Sequence, residues 1–363
     1  MLQIKKSSYC RSLTWLLGVG LLVVATPLLA VMVPDLYVAE VLVTSRDDTQ
    51  LTRGARAGLL QVLVRVSGSR TVENSPQVVA ALQHPEKYYY QYSYESTDRS
   101  FQIGNDVVPA RILRLTFEPS VVARLLREAG FSIWGSNRPS VLAWLALSDA
   151  SGRRLLAEHD NSALITALNT RARLRGLPLL YPLLDLEDAA RLSSAEVWGA
   201  FLGEIGAASN RYNPDVVLSG RIQQDGDGQW SGFWSYRLDQ KWREYSNTGF
   251  SEDDLMAGMV DQLADALAQR YALDASRGSV MLQIDGIDSL ADYAGLSHYL
   301  ETLTPVLDSS VLEVNGEEVL FRLITEGQTQ QLIEIIRLDE KMLLVNEGNN
   351  AEGQAQLVYR WLL

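Results

Sequence analysis

The hydrophobic period of this chain switches repeatedly between two residues and 3.6 residues, which rules out an all-helical or all-strand fold. In the first region, residues 36–135, a strand at 37–43 is followed by Leu51, Ala55, Leu59, Val62, Leu63 and Val66 at helical spacing. Gly68 ends that helix, and Ser75-Pro76 opens a short one with serine as cap and proline in the first turn. Strands at 88–95 and 107–117 and a helix at 119–130 complete it. In the second region, residues 138–273, the apolar run 140–147 reads as a strand buried on both faces. A helix at 162–175 stops at Gly176, and another apolar strand covers 177–184. Ser193 and Glu196 form a capping box for one helix carrying Val197, Phe201, Leu202, Ile205 and Ala208. Strands at 216–223, 230–238 and 241–245 precede a long helix capped by Ser251. In the third region, residues 278–363, Asn315-Gly316 marks a hairpin inside a β-α-β-β-α-β order, the ferredoxin-like arrangement, with an added strand at 357–362. The expected class is α+β: three small sheet-plus-helix domains, the last ferredoxin-like.

Residues 1–30 read as a signal peptide. Lys5, Lys6 and Arg11 precede an uncharged run over 12–33, Pro27 breaks it, and Ala30 offers a small residue for cleavage. The rival reading is a retained anchor, since 13–33 is just long enough to span a bilayer. Either way the remaining chain is expected across the membrane, in the periplasm, or anchored to the inner membrane and facing it.

Net charge is -12, and residues 1–30 hold three cations and no acid, so the remainder is more negative still. Such a surface repels phosphate backbones, and no nucleic-acid partner is expected. The one cysteine, Cys10, lies within the leader. Disulfides, thiol catalysis and cysteine metal sites are therefore not expected in the exported chain. His84, His159 and His298 are far apart and without ligand spacing. No cofactor or metal is expected, and no nucleophile elbow, phosphate loop or dinucleotide fingerprint occurs.

The strand Leu36-Tyr37-Val38-Ala39-Glu40-Val41 and the helix ending Gln61-Val62-Leu63-Val64-Arg65-Val66-Ser67-Gly68, with Arg175-Gly176-Leu177-Pro178 and Val217-Leu218-Ser219-Gly220-Arg221, resemble a proteobacterial envelope family, domain of unknown function 2066 (DUF2066). That family has no assigned activity, so the resemblance implies compartment and no catalytic residues. The middle region, with Asp215-Val216-Val217-Leu218-Ser219-Gly220, is similar in fold to the curli secretion lipoprotein, the N-terminal domain of the Tol-system propeller protein and lipoprotein activators of cell-wall synthases. This implies binding or assembly.

Two aromatic rows are candidate contact sites for a partner or a glycan. Tyr88, Tyr90, Tyr92 and Tyr94 alternate on one strand, with Tyr89 on its other face. Trp230, Trp234 and Tyr236 share a face on another, with Phe233 opposite. The blander reading of each row, a sheet face packed under helices, is favoured. Arg171 and Arg175 align near a helix C-terminus, where offsetting the dipole suffices to explain them. Asp225-Gly226-Asp227-Gly228 lacks calcium-loop spacing and reads as a turn, and Glu158-His159-Asp160 as a loop. The leading expectation is a non-catalytic protein working by contact with envelope proteins. The alternative is a carboxylate-based hydrolase or binder acting on cell-wall glycan or peptidoglycan, using Tyr90, Tyr92 or Trp234 as stacking platforms.

Overall fold

The computed structural model describes residue 33 and residues 35–274, 276–349 and 354–362, so the leader assigned to residues 1–30 lies outside the described residues. Among the described residues no helix is long and apolar enough to cross a membrane. The architecture is mixed α+β, with sheets of three, six and five strands.

In the first sheet β1 (Val38–Val43), β2 (Tyr89–Ile103) and β3 (Asp106–Phe117) lie in the order β1-β3-β2, all antiparallel. The helices are α1 (Asp48–Ser67), α2 (Pro76–Ala81) and α3 (Pro119–Glu128). Asp47 caps α1 by accepting the Gln50 N–H, and Gly68 closes it at φ +70°. The periodic residues of α1, Leu59, Val62, Leu63 and Val66, are buried with Leu113, Leu115 and Phe117 of β3.

The middle sheet contains β4 (Val141–Asp149), β5 (Gly152–Leu155), β6 (Leu179–Leu180), β7 (Val216–Gln224), β8 (Trp230–Leu238) and β9 (Lys241–Gly249), in the order β5-β4-β7-β8-β9 with β6 beside β4. On one face lie α4 (Ala163–Arg175) and α8 (Glu252–Tyr271), packed on Val141, Ala143 and Leu145. On the other lie α5 (Leu186–Arg191), α6 (Ser194–Trp198) and α7 (Leu202–Ser209), packed on Leu142, Trp144 and Ala146. The apolar run of β4 is thus buried on both faces, as its sequence requires. Two expectations need correction. The strand read at 177–184 is reduced to the two residues of β6. The helix opened by the Ser193–Glu196 capping box is two helices, because Ala200 turns to φ +53° between α6 and α7.

The third sheet contains β10 (Arg277–Asp285), β11 (Val306–Asn315), β12 (Glu318–Glu326), β13 (Met342–Asn349) and β14 (Ala355–Trp361), with α9 (Leu290–Thr302) and α10 (Thr329–Asp339) between them. The β-α-β-β-α-β order holds, and the added strand does something further. The strand order is β11-β12-β10-β14-β13, so β14 is inserted between β10 and β13, parallel to the first and antiparallel to the second. Leu357, Tyr359 and Trp361 of this strand are all buried in the core of the third region.

The C-terminal ends of α1 and α4 converge between the first two sheets, bringing two negative dipole ends together. Three arginines meet them. Arg138 donates from Nε to Gly135 O (2.9 Å), from Nη1 to Arg175 O and Gly176 O (2.8 and 3.1 Å), and from Nη2 to Arg65 O and Trp134 O (2.7 and 2.9 Å). It is fully buried, and burial first, then the charges of Arg65 and Arg175, pull its pKa down to about 9, which leaves it protonated at neutral pH. Gly176, at φ +67°, has no room for a side chain, since a Cβ there would stand 2.5 Å from Arg138 Nη1. Arg65 donates to Leu174 O of α4 and to Val38 O of β1, and Arg175 Nη2 donates to Gly68 O. The third region is tied on by Arg127 with Glu326, Asn137 with Asp339 and Arg270 with Glu334.

Candidate functional site

The two sequence-predicted aromatic rows behave differently from the alternation that suggested them. In β2, Tyr89 opposes Phe117 but Gln91 opposes Thr116, so the strand carries one extra residue at Tyr90. A bulge of one residue reverses every later side chain relative to the earlier ones. The row that forms is therefore Tyr89, Tyr92 and Tyr94, with T-shaped ring contacts at 5.9 and 6.0 Å. Tyr90 makes none of these contacts and is 63% exposed, and Tyr92 is 47% exposed. Burial raises the Tyr89 and Tyr94 hydroxyl pKa values, helped by neighbouring tyrosines.

In β8, Trp234 and Tyr236 are buried in the core beneath α4 and α8, and Trp230 is half-buried against it. The Trp234 ring lies across the backbone of two glycines: a Cβ on Gly220 or Gly232 would stand 2.4 or 2.2 Å from it. Its Nε1 donates to Asn247 Oδ1 at 2.6 Å. Tyr245, opposite Trp234 on β9, donates its hydroxyl to Met259 O, and burial pushes its pKa up. This row is core, so three of the predicted contact residues face inward.

The open face of the same sheet is the opposite one. The layer of α5 to α7 covers β4 and β7 and reaches Arg237 of β8 and Trp242 of β9, and a groove of about 260 Å³ lies beside it. Its floor has two cross-strand rows. Arg221 pairs with Phe233, which pairs with Ser246; Ser219 pairs with Ser235, which pairs with Glu244. Val197 and Ala200 form the wall on the helix side. The left-handed φ of Ala200 is a strained position for a residue with a side chain, of the kind held where the surroundings over-determine it.

Arg221 lies with its guanidinium 4.6 Å from the Phe233 ring centre and donates to Trp198 O at 3.5 Å. Glu244 accepts a long bond, 3.4 Å, from the Ser235 hydroxyl. Among the described residues neither has an ion-pair partner. They stand at opposite corners of the groove, two strands and one row apart, with Cα atoms on the order of 12 Å from each other by strand spacing and rise. Phe233 is 44% exposed. The exposed Ser246, the Arg221 guanidinium, the Glu244 carboxylate and the Phe233 ring can hold an extended polar chain with an apolar side group, while Ser219 and Ser235 lie buried beneath. No histidine lines the groove to activate a serine, and Glu244 is its one carboxylate. A second groove, of about 440 Å³ between α1 and α2, also has a single carboxylate, Glu73, beside Arg53 and Arg56. Among the described residues no group of three or more His, Cys, Asp and Glu side chains is arranged to hold a metal.

Arg171 and Arg175 do more than offset a dipole. Both bind Asp261 of α8, Arg175 also binds Asp265 at 2.7 Å, and Arg70 from the first region reaches the same two carboxylates. Burial works against the Asp261 charge, but the bonds and charges of Arg171 and Arg175 outweigh it, and its pKa is lowered. Asp160 accepts from Arg154 and from the Ala157 N–H, which makes it a loop staple. Asp225 to Gly228 is a hairpin turn closed by backbone bonds from Asp225 to Gln229 and from Gly228 to Asp225. In the sequence Ser219 and Arg221 stand out only within the segments over 215–221 that carry a family resemblance, and nothing singles out Glu244. The available clue was Phe233, an aromatic on the face opposite the tryptophans.

Residues 30–135 match the family model of a domain of unknown function, DUF8605. This corrects the resemblance to domain of unknown function 2066: the matched stretch contains the very strand and helix that suggested it. No curated protein matches the chain. Among solved structures, a Kluyveromyces lactis allophanate hydrolase is similar at 9% identity and TM-score 0.18, over 76% of this chain and 66% of that one. The K. lactis urea amidolyase is similar at 8% identity and TM-score 0.18, over 77% of this chain and 25% of that one. The chain thus spans less than two thirds of either. The curli-secretion and Tol-propeller likeness expected for the middle region is not what the comparison with solved structures returned. At such scores the neighbours themselves carry no argument about fold or function.

Proposed function

We propose that the protein is a non-catalytic, exported binding module of the cell envelope, and that the middle-sheet groove holds an extended segment of a partner protein. Export rests on the leader read in residues 1–30, with periplasmic placement, or inner-membrane anchoring if the leader is retained. The observation that carries the binding role is the placement of Arg221 and Glu244, without ion-pair partners among the described residues, at opposite corners of the groove beside the exposed Phe233 ring. A glycan hydrolase needs two carboxylates facing one another across a cleft. Each described groove offers one, and Trp234, the ring expected as a platform in β8, is buried.

Native crosslinking of the protein in envelope fractions, followed by mass spectrometry, tests this. An envelope protein is expected among the crosslinked species, with its yield falling about tenfold in Arg221→Glu, the effect of losing one charged hydrogen bond. Turnover of purified peptidoglycan by the pure protein, or a partner yield indifferent to that substitution, refutes the proposal.

A further inference from the structure

We infer that β9 is the contact strand of a two-fold dimer, in which it pairs antiparallel with β9 of a second copy. The inference stands apart from the identity of any groove ligand. An edge strand presents unpaired N–H and C=O groups that other chains can join, and natural sheets blunt such edges with bulges, brevity or covering groups. Charge is a further device, and β9 has it at Lys241, Arg243 and Glu244, but among the described residues each other edge is short, shifted in register or bonded to a side chain. The β1 edge is six residues long and gives its Val38 carbonyl to Arg65. The β2 edge has two register shifts, β11 two and β13 one, and β5 is only four residues long. By contrast β9 pairs with β8 one for one over nine residues, from Lys241 opposite Leu238 to Gly249 opposite Trp230, without a shift. Among the described residues no other backbone hydrogen bond involves it.

A second copy fits this edge best in one register, since centring on Ser246 or Asn247 leaves only seven or five residues paired. A two-fold axis normal to the sheet keeps each side chain on its own face, so opposed residues must differ by an even number. With Tyr245 on the axis all nine residues pair. Glu244 then faces Ser246 of the other copy, Arg243 faces Asn247, and Trp242 faces Thr248, with no like charges opposed. Centring on Arg243 or Glu244 sets like charges against each other and shortens the ladder. Glu244 and Ser246 also line the groove, so dimerisation brings two grooves side by side across the axis.

Sedimentation equilibrium of the purified protein across the micromolar range tests this. Ser246 and Thr248 are exposed, so substitutions there leave the fold intact, checked by circular dichroism. The wild type is expected to be a dimer. Ser246→Glu, which opposes Glu244 twice per dimer, is expected to raise the dimer Kd by about 2- to 30-fold, and Ser246→Lys to lower it similarly. The same changes at Thr248, which faces Trp242, alter net charge equally and are expected to leave Kd within about twofold. A monomer at every concentration overturns the inference. So does a dimer whose Kd responds to position 248 as strongly as to position 246.

Discussion

Replacing Arg138 with methionine is expected to uncouple the first two regions of the molecule. Methionine fills much of the same space but donates nothing. Five carbonyl oxygens lose a donor, and the four bonds to Arg175, Gly176, Arg65 and Trp134 are fully buried. A buried acceptor left without a partner costs about 1–3 kcal/mol. At the lower end for each of the four, the loss is about 4 kcal/mol, which puts the substitution in the exceptional tail of point mutations. Arg65 O, Arg175 O and Gly176 O belong to two helix ends, so the loss falls on the junction of α1 with α4. Urea unfolding followed by tryptophan fluorescence should therefore change from one transition to two, with the earlier midpoint well below that of wild type. Arg138→Lys keeps the charge and three donors in a less suitable geometry, and is expected to lose about half as much. If Arg138→Met unfolds in a single transition within about 1 kcal/mol of wild type, the reasoning is wrong, because five simultaneous bonds would then contribute almost nothing.

The Asp261 carboxyl has a folded-state pKa below its ordinary 3.8, so its stabilisation is complete above that value and is lost as pH falls through the lower folded value. Stability measured from pH 6 down to pH 2 should decline less steeply in Asp261→Asn than in wild type. Gln240 sits at φ +60° in the two-residue turn between β8 and β9, so Gln240→Gly is expected to stabilise by about 0.5–1 kcal/mol in thermal or urea unfolding. Gly220→Ala places a methyl group against the Trp234 ring, and should cost about 1–3 kcal/mol and shift the Trp234 emission.

Most of the elements were legible in the sequence because local signals and tertiary demands agreed. The capping box of Ser193 and Glu196, the stops at Gly68 and Gly176 and the Asn315-Gly316 hairpin all stand where read. What went unread depends on partners distant in sequence. The bulge at Tyr90 exists only against the register of β3, and it moved Tyr89 into the row from which alternation had excluded it. The break at Ala200 has no glycine or proline at the turning residue to announce it. Arg171 and Arg175 looked like dipole partners because Asp261 lies far away in the chain. The groove was hidden for a related reason. Sequence alternation separates the two faces of β8 but does not say which one the helices cover, and they cover the tryptophan face.

The placement of β14 has a consequence for the order in which the molecule can be built. As the chain is synthesised, β10, β11 and β12 can assemble as soon as they have emerged, but β13 has no neighbour to dock on until residues 355–361 follow it. In that interval the side of β10 that β14 will occupy is bare and adhesive. The final insertion is thus a commitment step: a nascent chain halted before residue 355 would hold an unclosed apolar sheet, a suitable substrate for holdase chaperones and for proteases.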